Sequence, residues 1–433
     1  MGNRRPSTAR LGARIGVAAV LAATLAGCWW PQTGAGPDRR AHNPAETAIT
    51  AATVASLHQL WTAPTDGPAG DPVTSIAGVH VDGTDQVYGF RTDGTPLWSA
   101  TVPNGWGDIA DFTSVLVDGD RLLAVHEGDP PVWNFPANAG LWLDVATGDA
   151  LGVGIKADGA RGGLVAGSST QYADGAYVEF LRIVDSATND ADPDQFGDPL
   201  LALSTGDPFG APSHVTLGAA AVFQSGPGLP SSMQAMESLG VRAFPREGGA
   251  ANCGPSVFPR FACPTWVTDL TGSTATPVVL SGDHTTLYVG VDSTLHVLDA
   301  ATGDVLWTAP LASAITDAPA VGQGSVFVPT SDGELAVLPA DGCGAAVCAP
   351  TWTSATGSAV TVQPAIVGSG SGAVVITGGA DGGVDAVSAD GCGAATCAPL
   401  WSASAGAPVT GAPAVSNGAV YLGTEAGLVA FGL

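Results

Sequence analysis

Seven cysteines and seven histidines are the residues of this 433-residue chain best suited to nucleophilic, redox or metal chemistry. Six of the cysteines fall in three local pairs: Cys253 with Cys263, Cys343 with Cys348, and Cys392 with Cys397. The last two pairs lie in near-identical contexts, DGCGAAVCAPTW and DGCGAATCAPLW. A zinc site usually needs a second Cys or His pair at ligand spacing, and the histidines are scattered, with no HxH or HExxH. In an oxidising compartment three short-range disulfides are therefore the natural reading. Asp190, Asp192 and Asp194 have the alternate spacing of a calcium loop, but Gln195 stands where the turn glycine belongs and no Glu follows at the twelfth position. A solvated acidic loop is the favoured reading, with calcium the alternative. Two G-x-G-x-x-A runs, at 152–157 and 368–373, do not open helices and read as loop composition.

The seventh cysteine, Cys28, has a different setting. Arg4, Arg5, Arg10 and Arg14 precede an apolar stretch from Ile15 to Ala26, which ends in Leu25-Ala26-Gly27-Cys28. The stretch is too short for a mature membrane span but suits a signal-peptide core. Its end resembles the lipobox of bacterial lipoproteins, in which the cysteine is diacylated and becomes the mature N-terminus. That resemblance implies a signal peptide over 1–27, two acyl chains on Cys28, and a stable anchor on the extracytoplasmic side of the cell membrane. Residues 28–43, rich in Pro, Gly and Arg, are expected to form a flexible tether.

Composition narrows the rest. Sixty glycines and 32 prolines exclude a mostly helical protein, while 45% hydrophobic residues exclude a disordered one. The net charge of −25, with Lys156 the single lysine, excludes nucleic acid and anionic lipid as charge-matched partners.

A repeat must position these residues. Pro277, Pro319, Pro364 and Pro413 are spaced by 42, 45 and 49 residues, and Trp266, Trp307, Trp352 and Trp401 by 41, 45 and 49. Each unit holds four short apolar runs with D-G or T-G turns between them, such as Asp332-Gly333 and Thr302-Gly303. Four strands per unit of this length predicts a β-propeller. The last unit lacks a fourth strand, and Leu57–Ala63, with Trp61 where the closing Trp belongs, supplies one. Four weaker units lie upstream, over about 73–266. The expectation is an all-β, eight-bladed propeller of four-stranded blades over 44–433, its ring closed by the N-terminal strand.

The run Tyr288 to Trp307, YVGVDSTLHVLDAATGDVLW, resembles the PQQ-binding-like, quinoprotein-type propeller repeat. The lead-in Asn43-Pro44-Ala45-Glu46-Thr47 is similar to that of the same propellers. The resemblance covers about 43–433, and is clearest in the last four units. It implies a family that holds both PQQ-dependent dehydrogenases and non-enzymatic lipoproteins resembling the outer-membrane assembly factor. The dehydrogenases share a vicinal Cys-Cys disulfide, calcium ligands and an Asp base. This chain has no adjacent cysteines, and no Asp matches that base.

The expected function is a lipid-anchored, non-enzymatic binding or scaffold module, a monomer with no cofactor. Its partner is an envelope protein or a small ligand on one propeller face. A PQQ-dependent dehydrogenase, with PQQ and calcium, is the alternative. Three insertions read as second-to-third strand loops on blades two, three and four: Glu127–Ala139 with Trp133 and Phe135, Asp185–Asp198, and Gln224–Leu239 with Met233 and Met236. With Trp106 in the link between blades one and two, they form the candidate binding face. The three disulfide loops are expected on the opposite face.

Overall fold

The computed structural model describes residues 29–101, 112–127, 138–161, 164–173, 176–185, 201–204, 214–227, 239–246, 263–357 and 359–433. Among the described residues the chain is all-β apart from three short 3-10 turns. Val, Leu, Ile and Ala dominate its buried positions. Short strands with both faces covered are what alternating apolar runs between D-G and T-G turns dictate.

The first sheet holds Val73–Thr74, Val79–Asp82, Val87–Phe90 and Pro96–Ala100, in that order. The same four-strand meander recurs over His214–Asp269, Val279–Pro310, Ala320–Ala355 and Ala365–Ser404. The last sheet contains Ala414–Ser416, Ala419–Thr424 and Gly427–Gly432. The segment assigned to complete it, His58–Ala63, pairs antiparallel with Gly427–Gly432, with a register shift between Gln59 and Trp61.

Between the first sheet and the one starting at His214, the strands form a single seven-stranded sheet rather than two separate units. Its shared element is the long run Ala150–Arg161. Ala150–Ile155 pair with 139–143, whereas Lys156–Arg161 pair with 164–168, and no residue pairs on both sides. One strand thus serves two four-stranded sets, with Gly152, Gly154 and Asp158-Gly159 taken up inside it, two of them at register shifts, rather than in a turn. This shifts the strand count. The insertion starting at Asp185 joins Ala176–Asp185 to Leu201–Ser204, the third and fourth strands of its set. It is not a second-to-third loop, as read from sequence. The other two insertions do lie between second and third strands.

Adjacent sheets dock through tryptophan. The outer-strand Trp98 donates its indole N–H to the Val145 carbonyl (3.0 Å), Trp61 to Thr92 (2.9 Å), Trp266 to Ala300 (3.2 Å) and Trp401 to Leu57 (3.0 Å). The first three of these rings lie against a turn glycine of the next sheet: Gly148, Gly94 and Gly303. At Gly94 and Gly303 φ is positive, and a Cβ would stand within 2.7 Å of the indole. Only glycine meets both demands there.

The cysteine loops add a second kind of dock. Cys343–Cys348 and Cys392–Cys397 are disulfide-bonded, and each loop lies between third and fourth strands, as expected. Thr396–Cys397 pair in parallel with Thr353–Ser354, so the loop of one sheet becomes a fifth strand on the outer edge of its neighbour. Val347 bridges to Thr308 in the same way. Cys263 is also disulfide-bonded; Cys253 lies outside the described residues.

Candidate functional site

Residues 29–43 do not form a flexible tether. Trp30 is 1% exposed, and Gln32, Arg39, Ala41 and Asn43 are buried. The segment winds around the axis and bonds to the first strand of every four-strand set. The carbonyls of Trp30, Pro31, Pro37, Asp38, Arg40 and Ala41 accept backbone N–H groups from Thr74, Val117, Leu217, Leu280, Val321 and Ile366, at 2.7–3.1 Å. The Gln32 side chain bonds Ala160 in both directions, and Asn43 donates to the Val415 carbonyl. His42–Asn43 pair in parallel with Ile366–Val367. Pro31 and Pro37 suit this role, because an axial thread that contributes carbonyls needs no donor at those positions. A 3-10 turn at Thr33–Ala35, with Gly34 at φ +72°, lets the chain double back on Arg39.

Charged groups collect where the thread turns. Asp71 accepts bonds from the Thr33 hydroxyl (2.7 Å) and the Ala412 N–H (2.7 Å). Asp317 accepts from the Ala318 and Gln363 N–H groups, at 2.6 and 2.8 Å. Burial pushes the Asp71 carboxyl up. Burial, and secondarily Asp71, push Asp317 to about 6 and Asp82 to about 7. Arg39 acts against both Asp71 and Asp317. Asp82 Oδ1 is sealed with no hydrogen-bond partner. Gln363 ties the thread to the wall, donating to the Arg39 and Pro319 carbonyls at 2.8 and 2.9 Å. Beside this cluster, Ser75 and His80 share a 2.8 Å hydrogen bond, and burial lowers His80 to about 4.

A tricarboxylate quinone on this axis would meet enclosed carboxylates and a position already filled by the chain, so the residues present do not fit it. Among the described residues no group of three or more His, Cys, Asp or Glu could hold a metal ion. Trp106, Trp133, Phe135, Met233, Met236, Asp190, Asp192, Asp194 and Cys28 all lie outside the described residues. The described strands bring the blade-two and blade-four insertions to the same kind of connection, and set the blade-three insertion apart. The axial thread and its carboxylates were missed from sequence. The signal available was the pair Trp29-Trp30, since aromatic residues do not belong in a solvated linker.

Residues 264–392 match the family model described as outer membrane protein assembly factor BamB. No curated protein sequence matches the chain. Solved structures with a similar fold include the quinohemoprotein alcohol dehydrogenase of Comamonas testosteroni, with a TM-score of 0.63 at 14% identity over 96% of this chain and 82% of that one. A europium-containing methanol dehydrogenase gives 0.62 at 13% identity, over 96% and 100%. BamB from Moraxella catarrhalis gives 0.56 at 15% identity, over 87% and 97%. These likenesses show the fold: a propeller of PQQ-like repeats, as the run Tyr288 to Trp307 implied.

Proposed function

We propose that this PQQ-like repeat propeller is an extracytoplasmic module, lipid-anchored at Cys28, that binds an envelope partner without catalysing a reaction. Its eight four-stranded sets form a ring, with His58–Ala63 sealing the seam against Gly427–Gly432. The observation that carries the reading is the axial thread. The chain's own residues 30–43 occupy the hub, so recognition falls to the loops. The second-to-third connections of blades two and four, with Trp133, Phe135, Met233 and Met236, and the link holding Trp106, make the recognition face. Aromatic and methionine side chains give adaptable apolar contact at low entropic cost. The match of 264–392 to an assembly-factor family supports the same direction.

The test is a pull-down from membranes with the acylated protein, repeated with the loops 128–137 and 228–238 shortened. Specific co-purification that the shortened loops abolish is the expected result. Capture that is indifferent to both loops would refute the recognition face. Metabolic labelling with an alkyne fatty acid tests Cys28, with Cys28→Ser as the control. Quinone absorbance and alcohol-dependent dye reduction after reconstitution with PQQ and calcium would instead establish a dehydrogenase.

A further inference from the structure

The thread fixes which end of the ring meets the membrane. Trp30 is held in both directions by Thr74: its N–H donates to the Thr74 hydroxyl at 2.6 Å, and its carbonyl accepts the Thr74 N–H at 2.7 Å. Thr74 is the last residue of the innermost strand Val73–Thr74, immediately before the hairpin Ser75–Gly78. The other carbonyls of the thread meet residues at or near the same ends of their first strands: Val117, Leu217, Leu280, Val321 and Ile366. The chain therefore enters the ring at the axis, on the end formed by the first-to-second strand hairpins.

Only Trp29 separates Trp30 from Cys28. Two residues of fully extended chain span at most about 7 Å. An acylated Cys28 thus leaves no slack, and the glycerol backbone of its lipid must lie within roughly that distance of the hairpin end. The hairpin beside the entry point carries Ile76, 73% exposed and the most exposed large hydrophobic residue among those described. The corresponding hairpins of other sheets are polar or small: Gly119-Asp120, Gly282-Asp283 and Gln323-Gly324.

We infer that the hairpin end of the axis lies flat against the bilayer surface, pinned by chain length at Cys28 and seated by Trp29 and Ile76. The inference rests on the lipid-anchor reading. Its partner is a zwitterionic lipid surface. Asp118, Asp120, Asp283 and Asp341 flank this end together with Arg40, Arg121 and Arg246, and so mixed a rim gains no net attraction from anionic headgroups. The orientation follows from the tether geometry rather than from charge. The opposite end, with the second-to-third strand loops, is then turned away from the membrane toward a partner in the envelope space.

The experiment separates orientation from anchoring in the cell. The chain beginning at Cys28 is joined through its N-terminal cysteine to a thioester-bearing lipid, and placed on phosphatidylcholine vesicles doped with a headgroup-diazirine lipid. After irradiation, cross-linked peptides are mapped by mass spectrometry. The expected result is on the order of tenfold more cross-links to peptides holding 75–78 and 119–120 than to those holding 330–333, the second-to-third turn of its sheet. A twenty-residue Gly-Ser spacer between Cys28 and Trp29 should erase the asymmetry. Equal labelling of both ends without the spacer, or an asymmetry that survives it, would overturn the inference. Failure of fatty-acid labelling in cells would refute anchoring alone and leave this outcome readable.

Discussion

The sheets after residue 263 and the seven-stranded sheet between 112 and 204 solve the same docking problem differently. In the C-terminal half, Trp266 lies against Gly303, Trp307 against Gly342 and Trp352 against Gly391, and two disulfide loops clip outer edges. In the seven-stranded sheet, neither Ala150–Ile155 nor Leu201–Ser204 contains tryptophan. Leu151 stands exposed on the outer strand, while Trp142 is fully buried under the Arg121 guanidinium, 4.3 Å from its ring centroid. Aromatic docking there has moved inside the sheet. What both regions share is the thread, which meets Val117 and Ala160 in one and Leu280 and Ile366 in the other. The lesson is that the central thread, not the outer edges, is the common fastening of these sheets.

The largest effect should come from removing that common element. Deleting 29–43 strips backbone bonds worth about 1 kcal/mol each from the hub. Their sum approaches the whole stability of a domain, about 5–15 kcal/mol. Calorimetry should then show no cooperative transition near the temperature of the intact chain. A second test breaks the rim comparison. Trp401→Ala removes the bond to Leu57 and the edge-on packing on Phe431, and should cost about 3 kcal/mol in urea unfolding. Leu151→Ala, on the outer strand that lacks tryptophan, should cost less than about 0.5 kcal/mol. Similar costs for the two would dissolve the distinction.

Opening the Cys392–Cys397 clip by changing both residues to Ser should cost about 2 kcal/mol, as expected for a short loop. Local hydrogen exchange should rise at Thr353–Ala355, the edge it covers, and not in 112–127.

The last test is a pH dependence, in which opposing groups leave only a small net effect in the unaltered chain. Asp82 has a folded pKa of about 7, above its unfolded value, so the folded state binds the extra proton, and this group's contribution to stability falls as pH rises from about 4 through 7. His80 and His126, lowered to about 4 by burial, act in the opposite direction between 4 and 6.5. The wild-type profile is therefore a poor readout, and the variant difference is the informative one. Asp82→Asn should stabilise the chain more at pH 8 than at pH 5. A pH-independent difference would mean that Asp82 is solvated.

The strands, the closing tryptophan of each unit and the Cys343–Cys348 and Cys392–Cys397 pairs were legible because each leaves a periodic or repeated trace. So was the pairing of His58–Ala63 with the final strand, since the last unit lacks its fourth run and Trp61 carries the closing residue. The thread was not legible. It binds through carbonyls, which every residue has, and its Pro and Gly, needed for an extended path with tight turns, have the composition of a linker. The disulfide loops' strand pairing escaped for the same reason. The unbroken Ala150–Arg161 run hid a set boundary because its glycines and Asp158-Gly159 are absorbed as register shifts within one strand instead of marking a turn, and so the insertion after Asp185 was misplaced by one strand.

Amide hydrogen exchange across Trp30–Asn43 in the intact chain tests the central claim most directly. A hub thread predicts exchange at its own bonded amides, Trp30, Ala35, Arg39 and Ala41, and at Thr74, Val117, Leu280 and Ile366, as slow as in the surrounding sheets. Exchange of the segment within seconds, with the sheets still protected, would show a solvated leash and contradict the account.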